Sequence, residues 1–222
     1  VTLQAITLPP ANGQPPQGLI VILHGWGASA QDVLSLASFI NLPNYQMVFP
    51  DAPFPHPYAA GGRMWYDFPS NFNFQNTLGF RDRPDLSTSR QLLTELLKSL
   101  TATTGIPLSR TILGGFSQGG AMTLDVGLGL PLKGLMVLSG YLHAAIEQQA
   151  VAFPPTLMVH GRQDTVVPLA AAQRALYSLQ CLGIDVRYQE FDMGHEIQPV
   201  VLALIQSFVE ELSRNDEGSA KA

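Results

Sequence analysis

Ser117 stands in Gly115-Phe116-Ser117-Gln118-Gly119, directly after the apolar run Thr111-Ile112-Leu113-Gly114 and ahead of a small-residue stretch compatible with a helix. A serine on a strand-to-helix bend, flanked by glycines that remove the clashing Cβ atoms, has its hydroxyl lifted out of the sheet. There a base and a substrate carbonyl can both reach it, which is the arrangement for nucleophilic attack through an acyl-serine. Glycine-rich turns also occur for packing alone, so the pentapeptide has to be judged together with its partners.

In sites of this kind the acid and then the base follow the serine in chain order, on loops after later strands. Of the five histidines, only His143, His160 and His195 follow Ser117. His143 and His160 lie at or just after strands that precede the best acid, whereas His195, in Asp192-Met193-Gly194-His195, comes after the last strand and before the last helix. The acid that fits is Asp164, in His160-Gly161-Arg162-Gln163-Asp164, a turn leaving the carboxyl end of a strand. Asp192 and Asp185 are its rivals; the first shares the histidine's own loop and the second sits at the wrong end of a strand. A carboxylate at Asp164 can accept the Nδ1–H of His195, fix its tautomer and stabilise the imidazolium.

Acyl transfer also needs donors for the oxyanion. The backbone N–H of Gln118, next after the nucleophile, is one. The second is assigned to the backbone N–H of Trp26, in the loop His24-Gly25-Trp26-Gly27. His24 has no place as base in this order and reads as an organiser of that loop.

The elements that must hold these groups are legible as apolar runs alternating with helical patterns, an α/β arrangement with a mostly parallel sheet. Strands are predicted at 19–23, 46–49, 111–114, 134–138, 156–159 and 186–191, with a weakly alternating one at 2–8. Several are continuous apolar runs, as strands covered on both faces should be. Leu86, Leu93, Leu97 and Leu100 recur at helical spacing between Pro84 and Gly105. A second helix spans the interval from Pro168 to Gly183. A third, 198–212, carries Val201, Ile205, Phe208 and Leu212 on one face. The polar 214–222 has no apolar periodicity and is expected to be a disordered tail on a single domain of 1–213.

Composition narrows the function classes. The 222 residues are 46% hydrophobic and only 13% charged, with 12 basic against 17 acidic side chains and no basic cluster. A nucleic-acid partner is therefore not expected. The single cysteine, Cys181, precludes an internal disulfide or a cysteine-based metal site and is expected to be buried packing. Residues 1–10 lack the basic start and apolar centre of a secretory leader, and no apolar run approaches the ~18 residues of a membrane span. A cytoplasmic protein without integral membrane association is expected. No ligand cluster calls for a metal or cofactor.

One stretch breaks the regularity. Between Pro50 and Pro84 lie Phe54, Tyr58, Trp65, Tyr66, Phe68, Phe72, Phe74 and Phe80 among prolines, glycines and asparagines, without a clean period. Such a long segment in a compact chain is commonly functional. It reads either as an aromatic plug closing the sheet or as a lid or wall for an apolar substrate, with Trp65, Phe72 and Phe74 as substrate-binding candidates and 69–83 as the lid.

From 18 to 212 the chain resembles the phospholipase/carboxylesterase family of α/β hydrolases, which includes the acyl-protein thioesterases. The resemblance rests on Leu23-His24-Gly25-Trp26-Gly27, Pro50-Asp51-Ala52-Pro53, Trp65-Tyr66-Asp67, Gly105-Ile106-Pro107, Gly114 through Ala121, Leu138-Ser139-Gly140 and the turns bearing Asp164 and His195. It implies an α/β-hydrolase fold and a serine hydrolase for esters or thioesters, often with an apolar acyl channel, and it agrees with Ser117, Asp164 and His195 as catalytic residues. Trp26 stands where the family often has leucine, and Ala28 where many members carry aspartate. A bulky indole at the acyl entrance weighs against long-chain or protein-bound substrates. The resulting expectation is a carboxylesterase acting on a small-molecule or lipid ester, with lysophospholipase or acyl-protein thioesterase as alternatives. A non-catalytic ligand-binding module on the same fold is the remote one, since a fold does not fix a function.

Overall fold

In a computed structural model, described for residues 2–68, 72–74, 83–143, 146 and 152–219, the apolar runs form a seven-stranded sheet in the order β1-β3-β2-β6-β7-β8-β9. The strands are β1 (Ala5–Leu8), β2 (Gly18–Leu23), β3 (Tyr45–Pro50), β6 (Thr111–Phe116), β7 (Gly134–Leu138), β8 (Thr156–Gly161) and β9 (Val186–Phe191). All neighbours are parallel except β1, which pairs antiparallel with β3. The small hairpin β4 (Phe54–Pro55) with β5 (Arg63–Met64) stands apart. Three of these strands extend beyond their predicted ends: β3 through Pro50, β6 through Phe116 and β8 through Gly161, so His160 belongs to a strand rather than to the turn after it. β1 is shorter than predicted, beginning only at Ala5.

Because side chains alternate across a strand, the apolar runs feed two cores at once. Val21, Leu23, Leu113, Leu135, Val137 and Met158 pack on one face with α2 (Pro84–Thr104), α3 (Gln118–Gly127) and α4 (Leu169–Cys181). Ile20, Ile22, Ile112, Met136, Leu138, Leu157 and Val159 pack on the other with α1 (Ala30–Leu34) and α5 (Pro199–Ser219). α2 starts with Pro84 in its first turn, where the missing N–H costs nothing, and ends at Gly105 with φ 72°. The predicted face of α5 (Val201, Ile205, Phe208 and Leu212) is buried.

Helical backbone continues past the predicted end of the last helix through Ser219. One expectation is corrected. Cys181 is exposed: α4 buries Ala171, Ala172, Ala175 and Leu179, and a residue two positions beyond Leu179 lies roughly 200° around the helix, on the solvent side. Most of the predicted lid, 69–83, lies outside the described residues. Among the described residues no helix is long and apolar enough to cross a membrane.

Candidate active site

Strands β2, β6, β7, β8 and β9 run parallel, so their carboxyl ends open on one edge of the sheet, where the chain leaving β2, β6, β8 and β9 carries Trp26, Ser117, Asp164 and His195. Ser117, between β6 and α3, has φ 56° and ψ −116°, a conformation costing an L-residue about 1–3 kcal/mol. Neighbouring glycines permit it. A Cβ on Gly115 would lie 2.4 Å from the Gly119 carbonyl, and one on Gly119 would lie 2.4 Å from the carbonyl oxygen of Leu23. The bend is pinned by the Ser117 N–H, which donates to Leu138 O at 2.8 Å.

His195 Nδ1–H donates to Asp164 Oδ2 at 2.7 Å, and the Ser117 hydroxyl faces His195 Nε2 at 2.9 Å. The Phe116 ring packs on the imidazole, with centroids 4.6 Å apart. Asp164 is held from behind. Its Oδ1 accepts the N–H groups of Val166 at 2.9 Å and Val167 at 2.8 Å. Burial pushes this carboxyl up, but the hydrogen bond from His195, those from the two backbone amides and the imidazole's charge outweigh it, and its pKa is lowered. The rival acids are elsewhere: the Asp192 side chain is 74% exposed and pairs with Arg162 at 2.7 Å, while Asp185 precedes β9. His143 faces the Tyr66 hydroxyl at 2.7 Å, inside a buried network with Asp125.

The acid and base loops touch through backbone. Arg162 N–H donates to Phe191 O at 2.8 Å, Gln163 N–H donates to Met193 O at 3.1 Å, and a Cβ on Gly161 would sit 2.3 Å from Met193 O. Gly161→Ala must therefore push the His195 loop away from Asp164. We expect a loss of about 1–3 kcal/mol, read as a fall in Tm of about 2–4 °C per kcal/mol for a chain of this size. Fluorophosphonate labelling of Ser117 should slow in parallel.

The loop after β2 lies against the serine, since a Cβ on Gly25 would come 3.3 Å from the Ser117 Cβ. Trp26 lies in that loop, and Gln118 opens α3 directly after the serine. His24 is the organiser the sequence suggests: its Nδ1–H donates to Gly25 O at 2.7 Å and its Nε2 accepts the Ala52 N–H at 3.0 Å. Burial lowers its pKa, partly opposed by the Gly25 carbonyl and by Asp51 and Asp32, so the neutral tautomer that this geometry needs is the favoured one. Gly27 N–H to Arg63 O and Arg63 N–H to Ala28 O, at 2.9 and 2.8 Å, stitch the loop to β5.

Trp65 is fully buried, and its indole N–H donates to His24 O at 3.0 Å, which makes it a brace of the same loop. Gln118 has a second part that the sequence did not reveal. Its buried side chain accepts the Trp65 N–H and donates to Tyr66 O, each at 2.8 Å, so the residue after the serine also clamps the root of the aromatic segment. Just beyond, Asp67 N–H donates to Asp85 Oδ2 at 2.9 Å.

Ser117 and His195 open into a cleft of about 490 Å³ lined mainly by apolar side chains, among them Trp26, Leu36, Phe68, Phe74, Tyr141 and Val167. Phe74 is thus at the cleft. Phe72 packs behind it, 4.8 Å from both Phe74 and Phe68 by ring centroids. Trp26 is 39% exposed and stacked edge-on against His56 at 4.0 Å and Phe68 at 5.7 Å. Among the described residues no group of three or more His, Cys, Asp or Glu side chains converges as a metal site.

Residues 10–213 match the family described as Phospholipase/Carboxylesterase. The chain is 28% identical to acyl-protein thioesterase 1 of Emericella nidulans, over 90% of this chain and 92% of that protein. It is 26% identical to lysophospholipase-like protein 1 of Mus musculus, over 86% and 84%. The crystal structure of esterase PE8 superposes with a TM-score of 0.87 at 33% identity, covering 96% of this chain and all of that one. An α/β-hydrolase sheet with these loops at its carboxyl edge, matched over nearly its whole length, makes the chain a member of the phospholipase/carboxylesterase family, hydrolases that act on esters.

Proposed function

We propose that the protein is a serine carboxylesterase working through an acyl-serine, with Ser117 as nucleophile, His195 as general base and acid, and Asp164 as the group orienting His195. What carries this reading is the unbroken hydrogen-bond chain Asp164–His195–Ser117 at the floor of an apolar cleft. His195 takes the serine proton as Oγ attacks the carbonyl carbon. The Gln118 and Trp26 N–H groups receive the oxyanion, in a site where such donors are worth several kcal/mol. His195 then protonates the departing alcohol or thiol, and activates the water that releases the acid.

The relatives called acyl-protein thioesterase and lysophospholipase-like support a thioester or lipid substrate equally as family members. Trp26 favours small esters: packed between His56 and Phe68, it cannot swing away from the cleft wall without losing both contacts. The test is kcat/KM for p-nitrophenyl esters of increasing acyl length. The expected result is a maximum at short chains. In Trp26→Leu, which leaves the backbone donor in place, the optimum should move to longer chains. If each newly buried methylene contributes about 0.8 kcal/mol, four of them raise kcat/KM by roughly two orders of magnitude. A steep rise already present in the unaltered protein would favour the lipid or acyl-protein alternative, and no hydrolysis at any length would favour the binding module.

A further inference from the structure

His160 has no part in the mechanism above, yet its imidazole is buried within reach of the catalytic acid. At the end of β8 it is 1% exposed, and its Nε2 lies 2.8 Å from the carbonyl oxygen of Val167 and 3.5 Å from Asp164 Oδ2. A carbonyl oxygen only accepts, so the proton is on Nε2. Its Nδ1 is buried and has no hydrogen-bond partner among the described residues, so nothing draws the proton to that side. Burial pushes the imidazole below its ordinary pKa, with the Val167 carbonyl and the Asp164 charge opposing, which keeps the ring neutral near pH 7.

Val167 is the link. Its carbonyl is held by His160, its N–H donates to Asp164 Oδ1 at 2.8 Å, and its side chain lines the cleft. A carboxylate has two equivalent oxygens, and rotation about χ2 exchanges them. Fixing Oδ1 on the Val166 and Val167 amides is what leaves Oδ2 aimed at His195. That fixation is only as rigid as the turn 164–167. Among the described residues, the one backbone-to-backbone hydrogen bond of the turn is Asp164 N–H to Gly161 O at 3.2 Å, and the turn ends at Pro168, which has no N–H to contribute. The His160 N–H is the tether that crosses it.

Resting on the proposed roles of Asp164 and His195, we infer that His160 is a positioning residue for the catalytic acid, holding the Val167 peptide so that Asp164 presents Oδ2 to His195. The competing account is that His160 merely fills the core at the end of β8. The two differ in what a ring of equal size without the N–H would do. His160→Phe keeps the bulk and loses the donor, while His160→Gln carries an amide N–H to about the position of Nε2.

The first measurement is the far-downfield proton NMR resonance of the His195 Nδ1–H···Asp164 hydrogen bond, which does not depend on any substrate. It should survive in His160→Gln and be lost or move upfield in His160→Phe. The second is a kinetic cycle. His160→Phe should lower kcat on the order of 10²-fold, the scale of an ångström misplacement. His160→Gln should restore it. Placed on Asp164→Asn, His160→Phe should cost little more, because contacts acting through one another are not additive. Should His160→Phe fail to fold, His160→Asn replaces it, since its shorter amide reaches the Nδ1 position instead. An unshifted NMR resonance in a folded His160→Phe, or full additivity with Asp164→Asn, overturns the inference. Hydrolysis that survives Ser117→Ala would instead overturn the proposed function, and the NMR comparison would still decide the part played by His160.

Discussion

Ser117→Ala should abolish hydrolysis, with kcat falling on the order of 10⁶-fold as in other enzymes whose triad serine is removed. The substitution is clean here for a backbone reason. Ser117 sits at φ 56°, and alanine keeps the Cβ that makes this conformation costly, so only Oγ is removed. The melting temperature should therefore stay close to that of the unaltered protein, whereas Ser117→Gly should be both inactive and more stable, by about 1 kcal/mol, as the strain is relieved. Stopped assays and thermal melts on the two variants separate chemistry from folding. Residual turnover in Ser117→Ala well above the uncatalysed rate would mean another nucleophile. A fluorophosphonate probe should label the unaltered chain at Ser117 alone.

Asp164→Asn should lower kcat roughly 10⁴-fold by selecting the wrong tautomer of His195. The amide can keep its oxygen on the Val166 and Val167 N–H groups, which leaves its NH2 where Oδ2 was. That NH2 then confronts the Nδ1–H of His195 and the nearby Nε2–H of His160. Moving the proton to Nε2 relieves the first clash and removes the acceptor that Ser117 needs. The same variant changes the pH dependence of stability. Because the folded pKa of Asp164 is lowered, its carboxylate contributes stability that is present above the unfolded value of about 3.9 and is lost as pH falls through the folded one. Asp164→Asn should flatten that part of the acid unfolding curve. A trivial kinetic effect would transfer the role to Asp192, although its exposure and its pairing with Arg162 argue against that.

What could be read from the chain, and what could not, divides along a physical line. That Ser117, Asp164 and His195 come within hydrogen-bond reach was legible because chain order and strand ends constrain them; β7 was legible to the residue as an unbroken apolar run, and β9, at the sheet edge, as Val186 and Tyr188 alternating with Arg187 and Gln189. The hairpin of β4 and β5 went unseen, since two residues beside prolines carry no period. The direction in which Trp65 points was not legible, because aromatic composition says nothing about direction. Whether an indole faces a cleft or a backbone carbonyl is decided by a partner forty-one positions away, His24. Cys181 was placed inside by the leucines around it, although helical rotation turns it out. The second part played by Gln118 was equally hidden, because it is a contact of side chain to backbone across fifty-two positions.

The root of the aromatic segment has a consequence for how such a protein changes over generations. The segment leaves the sheet past Tyr66, whose carbonyl is clamped by Gln118, and its two flanks are tied by the Asp67 to Asp85 bond. Asp85 is also gripped by Arg83, at 2.6 Å. A connection of twice the length between these ties would add only about 0.6 kcal/mol of closure entropy. New specificities can therefore be grafted or selected there while the reacting groups stay where they are.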